Sequence, residues 1–168
     1  MTSCPFLIVR ILVGATAFAA IADSANAEDL PIMHRLPAAL ALEAVAEAVA
    51  TCAREEIHVS AVVVDNDAVE IASLRGDGAG VHTLGTARAK ALAAVSVAAP
   101  VLNLETTGEL AELAQQNGFQ VPAGMLFRAG GIVIKAGEEV IGAIAASGSR
   151  FSEKCARAGL DKIKDRLR

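Results

Sequence analysis

The sequence has no tryptophan and no tyrosine, and aromatic residues make up only 3% of it. Beyond the N-terminal segment the only aromatics are Phe119, Phe127 and Phe151. Base-stacking platforms and aromatic sugar cradles are therefore excluded as the basis of function. Positive charge is also scarce: 15 Lys and Arg face 19 Asp and Glu, a formal net charge of −4, and no long basic cluster occurs. Binding to nucleic acid needs a basic face to neutralise phosphates, so no nucleic-acid partner is expected. The three histidines, His34, His58 and His82, show no metal-ligand spacing. A Gly-Lys-Ser/Thr phosphate loop is missing after Gly76-Asp-Gly78-Ala-Gly80, and Ser147 lacks the Gly-x-Ser-x-Gly elbow of a hydrolase.

What is present begins with an export signal. Arg10 precedes an apolar run from Ile11 to Ala22, and Ala25-Asn26-Ala27 supplies the small residues that a signal peptidase accepts before Glu28. The run is about 12 residues, shorter than the ~20 that span a bilayer. The expected organisation is a signal peptide over 1–27, a linker over 28–35 and one domain over 36–168, exported to the periplasm or secreted, with no stable membrane anchor after cleavage. An uncleaved anchor is the alternative reading of the same segment.

Two cysteines, Cys52 and Cys155, remain in the exported part. In an oxidising compartment such a pair reads as a disulfide closing a long loop, and two separate buried thiols are the other reading.

The helix formers of Leu36 to Glu56 predict a long first helix. Ile57 to Val64 and Ala68 to Leu74, joined by Asp65-Asn66-Asp67, predict a β-hairpin. An Ala-rich helix is expected over Thr83 to Ala99, stopped by Pro100, and a further one over Thr107 to Gln116. A weak strand at Met125 to Phe127 precedes a second hairpin, Ile132 to Lys135 and Val140 to Ala146. The last helix, Phe151 to Leu167, should turn Cys155, Ala158, Leu160, Ile163 and Leu167 to the core. The order α-β-β-α-α-β-β-β-α gives an α+β fold with an antiparallel sheet of about five strands flanked by helices. It has no βαβ rhythm for a Rossmann sheet.

Three constellations carry chemistry. The loop Gly76 to Thr83 opens a helix bearing Arg88 and Lys90, which places an imidazole and a hydroxyl at a helix N-terminus with cations one to two turns on. A carboxylate, a haem propionate or a metal-bound anion suits that corner; Thr83 as a plain helix cap with His82 in an exposed loop is the competing reading. Gly130-Gly131 and Ser147-Gly148-Ser149 stand at the two ends of one hairpin, where backbone can approach a ligand closely, as ordinary turns also would. Glu109 and Glu112 lie one turn apart and suit a weakly held iron or calcium ion, or simply a solvated helix face.

Several pieces occur together in order: Val62-Val-Val-Asp65, Gly76-Asp-Gly-Ala-Gly-Val-His-Thr83 continuing to Ala89-Lys-Ala91, Gly130-Gly-Ile-Val-Ile134, Val140-Ile-Gly-Ala-Ile144 with Ser147-Gly148, and Cys155-Ala-Arg-Ala-Gly-Leu160. By these the chain resembles the haem-binding, haem-degrading family typified by HbpS and GlcG proteins. The resemblance implies a profilin-like fold, a homo-oligomer and haem as cofactor, with His82 or Thr83 near the haem iron and Arg88 or Lys90 near the propionates. Departures from the family pattern are Lys90-Ala-Leu-Ala-Ala94, Ala145-Ala-Ser-Gly148 and Ser152. The implied role is haem scavenging, storage or sensing, with haem degradation as a further activity of the family. A binding module or enzyme for a small organic acid, and an oligomeric structural module without a ligand, are the competing functions.

Overall fold

The computed structural model describes residues 32–167. The segment expected to be a signal peptide, 1–27, and the first half of the expected linker, 28–31, lie outside the described residues. Helix α1, Ala38–Ala53, starts directly after Pro37, whose extended backbone serves as N-cap. Alanine fills Ala41, Ala44 and Ala48 on its buried face, so the helix lies close on its neighbours. Strands β1, Ser60–Asp65, and β2, Glu70–Arg75, form the first hairpin. The Asp65 carboxylate holds its turn by accepting from the Asp67 and Val69 amides at 2.9 and 2.8 Å.

Helix α2, Thr83–Ala93, does not stop at Pro100. It continues through a π-helical turn, Ala94–Ala98, into the short α3, Ala99–Leu102, which ends at Asn103 in a left-handed conformation. Proline breaks a regular helix because it lacks an N–H and its ring meets the carbonyl four residues earlier. The wider π turn just before Pro100 accommodates both defects. Helix α4, Thr107–Asn117, opens on a complete capping box: Thr106 accepts from the Glu109 amide while Glu109 accepts from the Thr106 amide. Strands β3, Gly131–Ala136, and β4, Glu139–Ser147, form the second hairpin, and α5, Ser152–Ile163, closes the chain.

The four strands make one antiparallel sheet in the order β2-β1-β4-β3. The expectation of about five strands is corrected here, because Met125 to Phe127 is not a strand. The edge of β3 that it would join is already occupied: Val133 donates to the Glu105 carbonyl at 2.9 Å and Thr106 bridges Ile132. The Leu126 amide donates instead to Ala89 of α2 at 3.1 Å. The sheet stacks Ala61, Val63, Ala72, Ile132, Ile134, Ile144 and Ala146 against α1 and α5. Val62, Val64, Val133, Ala143 and Ala145 pack on the other face against Ala87, Ala91 and Ala94 of α2 and its extension. Alternate residues of β1 and β4 thus feed two cores, each fully buried Val or Ile contributing roughly 1.5–3 kcal/mol.

On the first face α1 and α5 cross closely. A Cβ on Gly159 would lie 2.4 Å from the Ala44 carbonyl oxygen, so only glycine permits this approach. Cys155, Ala156, Gly159 and Ile163 are the buried apolar positions of α5, with Leu160 partly covered; Ala156 takes the core place expected for Ala158. A disulfide joins Cys52 to Cys155, with Cα atoms 5.7 Å apart, and staples the two helices. At the turn between β3 and β4, His34 holds Glu139 through both its amide and its ring Nδ1. No helix among the described residues is long and apolar enough to cross a membrane.

Candidate functional site

The sheet register brings Gly131 opposite Ala145, so the start of β3 and the end of β4 lie side by side. Residues 82, 86 and 90 recur every four positions and form one stripe along α2, facing this end of the hairpin. The result is an open groove of about 430 Å³ lined by His82, Thr86, Lys90, Leu126, Arg128, Ser147, Gly148, Ser149 and Arg150. The loop-to-helix constellation and the glycine-flanked hairpin, separate in the sequence, are two walls of one site.

Lys90 is its floor. The residue is 3% exposed, and its Nζ donates to the Ala146 carbonyl at 3.1 Å. Its pKa is lowered from 10.5 to about 8, chiefly by burial and secondly by the charge of Arg128, with the charge of Glu153 opposing the change. The Thr86 hydroxyl donates to Ser147 Oγ at 2.7 Å, tying α2 to the end of β4 beside the lysine. Arg128 and Arg150 are exposed at the rim, and the Arg150 guanidinium sits 4.7 Å from the centre of the Phe151 ring. Three basic side chains therefore converge on one groove in a chain of net negative charge.

His82 is exposed at the lip, as the first residue flanking α2, and its side chain makes no cap hydrogen bond. Thr83 does not face the groove. It is 1% exposed, donates to the Gly80 carbonyl at 2.7 Å and is hydrogen-bonded to Ser60 Oγ at 2.6 Å, so its hydroxyl fastens the loop to β1. Arg88 is not brought to Lys90 either. Two residues apart on a helix is a rotation of about 200°, and Arg88 instead pairs with Glu70 of β2. Glu109 is committed to the capping box, and no group of three His, Cys, Asp or Glu side chains able to hold a metal ion occurs among the described residues.

Thr86, Leu126, Arg128 and Arg150 were not singled out from the sequence. The signal for Thr86 was available in its spacing, four residues from both His82 and Lys90. Arg128 and Arg150 carried none, since each lies in irregular backbone whose direction only the fold sets.

A family model described as haem degrading protein, HbpS-like, matches residues 36–161. Among solved structures, a crystal structure of HbpS is 33% identical, with 79% of this chain and 93% of that chain covered and a TM-score of 0.69. A double mutant of Streptomyces reticuli HbpS is 29% identical over 94% of this chain and 97% of that one, with a TM-score of 0.68. The crystal structure of a PduOC–haem complex shares the fold at 19% identity, covering 77% of this chain and 96% of that chain, with a TM-score of 0.66. No curated protein matches the chain.

Proposed function

Because the chain belongs to the HbpS-like family of haem-degrading proteins, we propose that it is an exported haem-binding protein whose ligand enters the groove between α2 and the β3–β4 hairpin. The observation that carries this reading is the buried ammonium of Lys90 on the groove floor, with Arg128 and Arg150 at the rim. Such a set favours a ligand with carboxylates along one edge.

The residues present fit haem in that respect. Lys90, Arg128 and Arg150 would hold the propionates, the Thr86–Ser147 hydroxyl pair would add neutral hydrogen bonds, and His82 at the lip would offer its imidazole to the iron. Bound haem would supply a redox-active iron, and the family's degrading activity would use that centre. The chain's own contribution is to fix the carboxylate edge and to shield it from water, since Lys90 cannot leave its buried place without losing its bond to Ala146. Apolar cover inside the groove is thin, consisting of half-buried Leu126. Exposed Val81 and Phe151, next in sequence to His82 and Arg150, would complete that cover in a homo-oligomer.

Export rests on the 1–27 signal segment read above, and sequencing of extracytoplasmic protein should begin at Glu28. Titration of the unliganded mature protein with haem is the direct test. A saturable Soret change is the expected result, its slow decay under reductant and oxygen would add degradation, and absence of any saturable change would overturn the binding reading.

A further inference from the structure

We infer that Lys90 is a reactive amine and that the same groove captures small oxo acids, compounds with an aldehyde or ketone next to a carboxylate, as a covalent imine on its Nζ. This goes beyond the haem reading: it concerns a different ligand class and a bond that haem binding does not involve.

A lysine attacks a carbonyl only when three conditions are met. Its amine must be uncharged part of the time, reachable by the substrate, and close to groups that hold the substrate's anion and move a proton. Lys90 is removed from bulk water by Gly130, Ser152 and the end of β4, yet it lines an open groove. With burial holding its pKa near 8, about a tenth of the side chain is free amine at pH 7, against well under a thousandth for an ordinary lysine. The charged groups that face it are Arg128, which favours the free amine, and Glu153, which favours the ammonium.

Arg128 and Arg150 offer planar donors for the carboxylate of the substrate. The hydrogen-bonded hydroxyls of Thr86 and Ser147 line the same groove. The free amine lone pair attacks the carbonyl carbon, and the carbon–oxygen π pair moves to oxygen to give a carbinolamine. The ammonium formed at nitrogen passes a proton to that oxygen through the hydroxyl pair. Loss of one water then leaves the imine, so each mole of oxo acid bound releases one mole of water and needs no oxidant or reductant. The described lysines outside the groove, Lys135, Lys154, Lys162 and Lys164, are each at least partly exposed, and three of them sit beside carboxylates.

The test uses the mature protein with pyruvate and cyanoborohydride, followed by intact mass and peptide mapping. One reduced adduct per chain, located on Lys90, is the expected result, with its rate rising between pH 7 and pH 8 and falling at least tenfold when Arg128 and Arg150 are both replaced by alanine. Lys90→Arg keeps the charge without the nucleophile and should lose the adduct. Equal labelling of Lys135, Lys154, Lys162 and Lys164, or no labelling of Lys90 in the folded wild type, would overturn the inference. Mapping the wild type alone decides this point if the variant fails to fold. Haem titration of the same samples keeps the two ideas apart, since either can fail while the other stands.

Discussion

Lys90 and Gly130 meet at the groove floor: a Cβ on Gly130 would lie 2.7 Å from Lys90 Nζ and 2.6 Å from the Ala146 carbonyl oxygen that Nζ bonds. Gly130 also has φ +128°, a conformation that side-chain-bearing residues rarely adopt. Gly130→Ala should therefore act twice, lowering stability by about 1–3 kcal/mol and displacing the ammonium. Thermal unfolding and haem titration of the variant measure the two effects. Unchanged haem affinity in a folded variant would remove Lys90 from the site.

Depression of the Lys90 pKa makes a signed prediction about pH. The folded state holds this proton less tightly than the unfolded chain, whose lysine titrates near 10.5. Between about pH 8 and pH 10.5 the unfolded state therefore binds more protons, and stability of the unliganded protein gains up to about 3 kcal/mol from this residue as pH rises through that window. Below pH 8 the contribution is absent. Binding of an anionic ligand should run the other way and weaken above pH 8 as the ammonium is lost; Arg128 and Glu153 are the charged groups that face it. Denaturant unfolding of wild type and Lys90→Met across this range should show the slope only in the wild type.

His82 and Arg88 should separate cleanly in a haem titration. His82→Ala is expected to shift the Soret band and weaken binding at least tenfold if its imidazole reaches the iron. Arg88→Ala should leave both unchanged, because Arg88 points away from the groove to Glu70 and that half-exposed pair contributes at most about 1 kcal/mol. His34→Ala is the control, since His34 is held by Glu139 at the opposite end of the hairpin. A Soret change in His34→Ala and not in His82→Ala would move the iron to that end.

The Cys52–Cys155 bridge spans 103 residues of sequence. Replacing both cysteines by serine should cost about 4–5 kcal/mol in the chain-entropy model. Unfolding of the mature protein with and without reductant should show the same loss, and alkylation before reduction should find no free thiol at either position.

Much of the fold could be read along the chain because the signals were local. The hairpin turns at Asp65-Asn66-Asp67 and Ala136-Gly137-Glu138, and the β-branched runs beside them, determine backbone conformation within a few residues. Met125 to Phe127 was misread because its alternative partner, the edge of β3, was taken by Glu105 from a distant segment, which is a competition invisible to any local window. Pro100 was misread for a related reason: the π turn that absorbs it spans five preceding residues. At the site, His82 and Lys90 were found by residue type, and Thr86 was missed despite sharing their helical spacing. Arg88 was grouped with Lys90 by nearness in sequence, where the helix sets them on opposite sides. That the glycine-rich hairpin end is the second wall of the same groove depends on the pairing of Gly131 with Ala145, a register that no composition encodes.

The bridge between α1 and α5 also decides how the molecule carries mechanical load. Tension applied to the two ends of the chain enters α1, crosses at Cys52 to Cys155 and leaves through α5, bypassing residues 53–154. All four strands, α2 and the groove are in that bypassed segment, so a tether at either terminus can be pulled taut without deforming the ligand site. In reducing conditions the same pull would run through β1 and β4, and the groove would open with the sheet.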